Sequence, residues 1–133
     1  MKNLFTILTL VITVMLSPMS FADWEVVGKN VHGDVFYIDF KRIKKNSDYV
    51  YYWELCDFLK PDKFGELSSK LFIEADCGIP VKSRTLNASY YTQAMGEGTP
   101  NLTDNKTRPW GFATPESVGE VVIDKVCSYS LNL

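Results

Sequence analysis

Three cysteines, one histidine and one short basic run are the side chains of this 133-residue chain whose chemistry could reach beyond packing. Cys56, Cys77 and Cys127 are odd in number, so one disulfide plus one leftover thiol is the simplest account in an oxidising compartment. A nucleophilic Cys56 would need an activating base. The lone histidine, His32, lies beside Gly33 in a turn-forming stretch, and no other motif places it near a cysteine. Cys56 therefore reads first as a buried thiol, with a nucleophile or a bond to a second chain as the alternatives. Zinc is disfavoured by the ligand set, because there is no Cys-x-x-Cys pair and one histidine is too few. Glu74 with Asp76, or Asp39 with Glu54, could in principle do acid–base work. They alternate with apolar residues and read as solvated strand faces. No Gly-x-Ser-x-Gly, phosphate loop or dinucleotide signature is present. The expectation is a non-enzymatic protein with no catalytic, cofactor-binding or metal-binding residues and no cofactor.

Binding chemistry is better represented. Lys41-Arg42-Ile43-Lys44-Lys45 is the one basic cluster, read as a loop that is either solvated or an electrostatic rim for an acidic partner. Tyr49–Phe58 (YVYYWELCDF) carries five aromatics that cannot all face one core. Alternation puts Tyr51, Trp53 and Leu55 on one face, taken here as the core face, and Tyr52 and Phe58 on the other. Exposed aromatics mark interfaces. The candidate interface is therefore Tyr52 and Phe58, with Lys44 and Lys45 at its rim. The competing reading packs Tyr52 and Phe58 beneath a covering helix or loop.

The elements that must position these residues are strands followed by a helix. Trp24–Lys29, Val35–Asp39, Tyr49–Phe58, Leu67–Cys77 and Val81–Tyr91 are rich in β-formers and separated by turn residues. Short links imply antiparallel pairing. Leu71, Ile73, Ala75 and Cys77 share one face of their strand, and Phe72 interrupts the polar one. Gln93–Pro109 is polar and rich in turn residues, a long loop with room for a short strand. Thr114-Pro115-Glu116 resembles a helix start, with Thr114 as N-cap, and Val118, Val121, Val122 and Val126 follow at helical spacing. A helix over 115–127 is expected, held by packing because Gly119 weakens it by about 1 kcal/mol.

Residues 1–22 are of another kind. Lys2, an apolar run from Leu4 to Leu16, and Ser20-Phe21-Ala22 form a secretory leader with cleavage expected between Ala22 and Asp23. The run is short for a membrane span, which needs roughly 20 residues. Removing 22 residues from 133 leaves a single domain over 23–133. The leader carries one base, Lys2, and no acid, so 14 basic residues fall to 13 against 16 acidic, a net charge of −3. That balance gives no concentrated basic surface and argues against nucleic acid as a partner. No later stretch is apolar enough to span a membrane. No cysteine stands at the cleavage site, so no lipid anchor is expected.

From Trp24 onward the order of features resembles the surface-adhesin protein E-like family of exported bacterial proteins. The resemblance is carried by Trp24, Tyr37-Ile38-Asp39, Trp53, Glu74-Ala75-Asp76-Cys77, Ser83-Arg84, Trp110, Thr114-Pro115-Glu116-Ser117 and Val126-Cys127. It implies an α+β fold, an antiparallel sheet packed against a C-terminal helix, which agrees with the independent reading of about five or six strands and a helix. The family's namesake is a surface lipoprotein that binds host matrix proteins and can dimerise. Three cysteines permit three pairings. A strand-end cysteine on the apolar face and a helix-end cysteine behind the valines favour Cys77–Cys127, and the resemblance favours the same pair.

The reading as a whole is an exported domain, periplasmic or secreted, that binds another macromolecule: a host matrix protein, an envelope protein, or a second copy of itself. The alternative is an accessory periplasmic protein in an envelope complex with no adhesin role.

Overall fold

The computed structural model describes residues 22–133; except for Ala22, the leader lies outside the described residues. Seven strands form one antiparallel sheet: β1 (Glu25–Lys29), β2 (Val35–Ile38), β3 (Lys44–Asn46), β4 (Tyr49–Asp57), β5 (Ser68–Asp76), β6 (Lys82–Tyr91) and β7 (Leu102–Asp104). The main order is β1-β2-β4-β5-β6-β7. β2 pairs with the second half of β4, from Ile38↔Glu54 to Val35↔Asp57, and β3 with the first half, from Asn46↔Tyr49 to Lys44↔Tyr51. Both therefore lie along one edge of β4, joined through a 3-10 turn at Phe40–Arg42. The basic run is thus a turn and a short strand rather than a loop. Its charged side chains suit an exposed strand that is short and unattractive to further pairing.

β4 and β5 pair over their full length, from Tyr49↔Asp76 to Asp57↔Ser68. The Asp62 carboxylate closes their connection by accepting from the backbone N–H of Phe64 and Glu66, both at 2.9 Å, the usual use of Asp in a turn. A bulge opposite Phe72 and Ile73 shifts β6 by one residue, so Asn87 faces Phe72 and Thr85 faces Ile73.

One helix, α1 (Val118–Ser130), crosses the sheet. It starts three residues later than the sequence suggests, and the cap is Ser117, not Thr114. Glu116 has φ +63°, a left-handed conformation that helix cannot accommodate, so Thr114-Pro115-Glu116 forms the entering turn. Ser117 Oγ accepts from Glu120 N–H at 3.3 Å and donates to Thr114 C=O at 2.6 Å, while Glu120 Oε1 accepts from Glu116 N–H at 3.4 Å. Val122, Ile123 and Val126 are buried; Val121, expected on the apolar stripe, is 43% exposed and Ile123 takes its place. β1 passes close beneath: a Cβ at Gly28 would stand 2.7 Å from Val118 Cγ2. The Cys77–Cys127 disulfide, Cα–Cα 5.7 Å, fastens the helix to the end of β5. Cys56 is a buried free thiol.

The core joins Val27, Ile38, Ile43, Val50, Tyr52, Ile73 and Ala75 of the sheet side to Val122, Ile123 and Val126 of α1. This reverses the expected faces of β4. Cross-strand partners share a face, so Tyr52↔Ile73 and Val50↔Ala75 place Tyr52 in the row that leads to Cys77 and hence beneath the helix. Tyr51 and Trp53 lie on the opposite face. Leu55, also on that face, is nonetheless fully buried, because a second 3-10 turn at Ala94–Gly96 folds over it. Gly96 permits that approach, since a Cβ there would stand 2.4 Å from Lys70 Cε and 3.3 Å from Leu55 Cδ1. The turn is pinned by Met95 N–H to Asp57 Oδ1 at 2.7 Å and Gly96 N–H to Ser68 Oγ at 2.8 Å.

Candidate functional site

The sheet face opposite α1 carries the site. Its covered end lies under the Ala94–Gly96 turn, and its middle is a row of half-buried aromatic side chains. Trp53 of β4 stacks on Phe72 of β5 with centroids 4.9 Å apart, and Tyr51 stands 6.1 Å from the same Phe72 ring. At the far end the chain following β7 runs along β6, with Arg108 N–H donating to Thr85 C=O and Ser83 and Gly111 exchanging backbone bonds. That strap delivers Trp110 to the face. The Trp110 ring lies 5.8 Å from Tyr49 and carries the Arg84 guanidinium at 4.5 Å and the Lys82 ammonium at 5.1 Å.

A buried carboxylate ties the two aromatic groups together. Tyr51 OH donates to Glu74 Oε2 at 2.5 Å, and Arg84 Nε donates to Glu74 Oε1 at 2.6 Å. The bond to Glu74 holds the Tyr51 hydroxyl protonated, above its ordinary pKa. Charge-assisted bonds of this kind fix orientation as well as adding stability, so Tyr51, Arg84 and through it Trp110 are held as one unit. Arg42 and Lys44 stand beside Tyr51, Trp53 and Phe72 around a depression of ≈ 330 Å³. Flat rings with a cationic rim can cover apolar surface, stack on other rings and hold acidic groups at the edge.

The candidate residues from the sequence are only partly brought together here. Lys44 pairs with Tyr51 and joins the aromatic face, whereas Lys45 pairs with Val50 and falls on the other parity. Tyr52 is 2% exposed and is corrected to a core residue; α1 covers the face on which its ring lies. Phe58 is half-buried beyond the end of β4, on the parity of Tyr52 and away from the aromatic row. Tyr51, Trp53, Phe72, Arg84 and Trp110 stand outside the interface expected from the sequence. The signal was available in Phe72 interrupting its polar face, and in the parity of Cys77, which fixes which side of β5 the helix takes.

Two further titratable groups sit on the helix side of β4. Burial pushes the Cys56 thiol up to about 12, leaving little thiolate at neutral pH. Burial also pushes Glu54 up to about 7. Among the described residues no group of three or more His, Cys, Asp or Glu is placed to hold a metal ion, and no helix is long and apolar enough to cross a membrane.

The described residues thus form a one-sheet α+β domain with a helix stapled to one face and a row of half-buried aromatic side chains on the other. The family model for surface-adhesin protein E matches residues 24–128, and the chain belongs to that family. No curated protein and no solved structure matches it. Family and disulfide together are consistent with an exported or surface protein.

Proposed function

We propose that the chain is an exported, non-enzymatic domain, processed between Ala22 and Asp23, that binds a protein partner through its open aromatic face. The observation that carries this reading is the continuous Trp53–Phe72–Tyr51 stack opposite α1, prolonged by Tyr49 and Trp110. Among the described residues a helix covers one face of the sheet, while the Ala94–Gly96 turn, Trp110 and Trp24 reach onto the other. Aromatic and Arg side chains are the residues that most often carry interface energy. Arg42 and Lys44 form a cationic rim, which acts on association rate and partner choice more than on final affinity. Membership in the adhesin family supports a host protein as the partner. An envelope protein remains the competing reading, and protease treatment of intact cells separates the two by display.

The test is Trp53→Ala in the 23–133 domain, titrated against immobilised host matrix proteins and against crosslinked envelope proteins, with self-association followed by sedimentation. A loss of about 1–2 kcal/mol, roughly 5- to 30-fold in affinity, with the thermal midpoint nearly unchanged, is the expected result. Unchanged binding by Trp53→Ala would remove the aromatic face from the account.

A further inference from the structure

Asp39 is a buried carboxylate at the end of β2, 1% exposed, on the same side of the sheet as the aromatic row. Its Oδ2 forms an ion pair with Arg42 Nε at 3.2 Å and accepts from the backbone N–H of Asp23 at 3.3 Å. Its Oδ1 is buried and accepts from no described residue. Asp23 is held a second time through its own side chain, whose Oδ2 pairs with Lys41 Nζ at 2.7 Å. The carboxylate thus meets the backbone nitrogen of the residue that directly follows Ser20-Phe21-Ala22.

A peptide nitrogen at Asp23 offers one hydrogen and no charge, whereas a free α-amino group offers three hydrogens and a positive charge. We propose that Asp39 is the receiving site for the α-ammonium released when the Ala22–Asp23 bond is hydrolysed, so that processing locks the new N-terminus onto the sheet. Water adds across that bond: its oxygen joins the Ala22 carbonyl carbon, which leaves as a carboxylate, and both of its hydrogens end on the Asp23 nitrogen, which becomes the ammonium. That group can serve Oδ2, already 3.3 Å away, and turn toward the unserved Oδ1, giving the buried anion a second charged partner beside Arg42.

The consequence falls on the aromatic face. Trp24 follows Asp23 and shares with Asp39, Arg42, Trp53, Lys70 and Tyr91 a depression of ≈ 180 Å³. Fixing Asp23 therefore fixes Trp24 at the margin of the proposed binding surface, and the processed chain presents a more complete surface than the precursor. This rests on the leader reading, and the experiment keeps the two apart.

Three forms of the domain are compared by thermal unfolding: one starting at Asp23, released from a fusion that leaves no extra residue; one with Gly-Ser ahead of Asp23; and one acetylated at Asp23. Each is also made with Asp39→Asn. The free Asp23 form should melt about 5 °C above both blocked forms at pH 7. Asp39→Asn should bring the three together. If Asp39→Asn does not fold, the pH profile of the Asp23 form decides. Its advantage should vanish as the α-amino group, ordinarily near 8 and raised by Asp39, loses its proton. The neighbouring charges, Lys41, Arg42, Lys70, Glu25 and the Asp23 side chain, together with the Tyr91 hydroxyl, belong equally to the blocked forms and cancel in the comparison. Equal midpoints for free and blocked forms would overturn the lock. Intact mass of the exported protein tests the processing separately, and a first residue other than Asp23 would overturn the assignment of the cleavage as its source.

Discussion

Glu54 shows how one half-buried group can set a pH dependence without taking part in binding. It lies among core neighbours on the helix side, opposite Ile38 and Leu71, and none of the described residues donates a hydrogen bond to its carboxylate. Burial raises it from 4.5 to about 7. Between those values the native state holds a proton that the unfolded state has released, so stability falls as pH rises through this window and levels off above it. Glu54→Gln removes the titration. The variant should be more stable than the parent at pH 8, by up to about 3 kcal/mol, and nearly equal to it below pH 4.5. Urea unfolding at the two pH values checks this, and parallel stability curves would contradict it. The same scale explains the reversal along β4. Tyr49–Phe58 is apolar on both parities, so its own pattern cannot say which side is the core. The partner strand decides, because the Leu71, Ile73, Ala75 row ends in the cysteine that binds the helix.

At the scale of elements, α1 depends on its cap, its packing and its staple. A 13-residue helix with a glycine in its second position has little stability alone. The disulfide closes a separation of 50 residues, which in the chain-entropy picture contributes about 4 kcal/mol. Existence of the helix and the pairing of its cysteine were legible from the valine spacing and the strand-end cysteine. Its start was not, because Thr-Pro-Glu fits a helix N-terminus equally well and only the left-handed Glu116 moves the cap to Ser117. Ser117→Ala should therefore cost about 1 kcal/mol in urea unfolding, while Thr114→Ala, which keeps the backbone acceptor of Ser117 Oγ, should change little. The opposite ranking would restore the earlier start. β3 was hidden, and β7 was allowed only as an unplaced short strand within Gln93–Pro109, for a different reason. Each is three residues long, so neither can display a period, and both exist because a longer strand offers them an edge.

Over the whole molecule, the strand succession and antiparallel pairing follow from short links between β-rich runs, and the described residues fold as that order implies. The two faces of the sheet differ in what covers them. α1 seals one with aliphatic side chains and a disulfide; the other keeps a row of rings, bound through Glu74 into a fixed arrangement and edged by Arg42 and Lys44. The aromatic row could not be read from single strands, since it is assembled from β4, β5 and the strap after β7, and two of those depend on registers that turns and a bulge set. Binding through this face is the central claim, and site-directed photocrosslinking in native envelopes and on host matrix tests it most directly. A photoreactive residue at position 53 should give a discrete protein adduct, while the same residue at position 121, exposed on α1, should give none. Adducts from position 121 alone would contradict the account and move the binding surface to the helix.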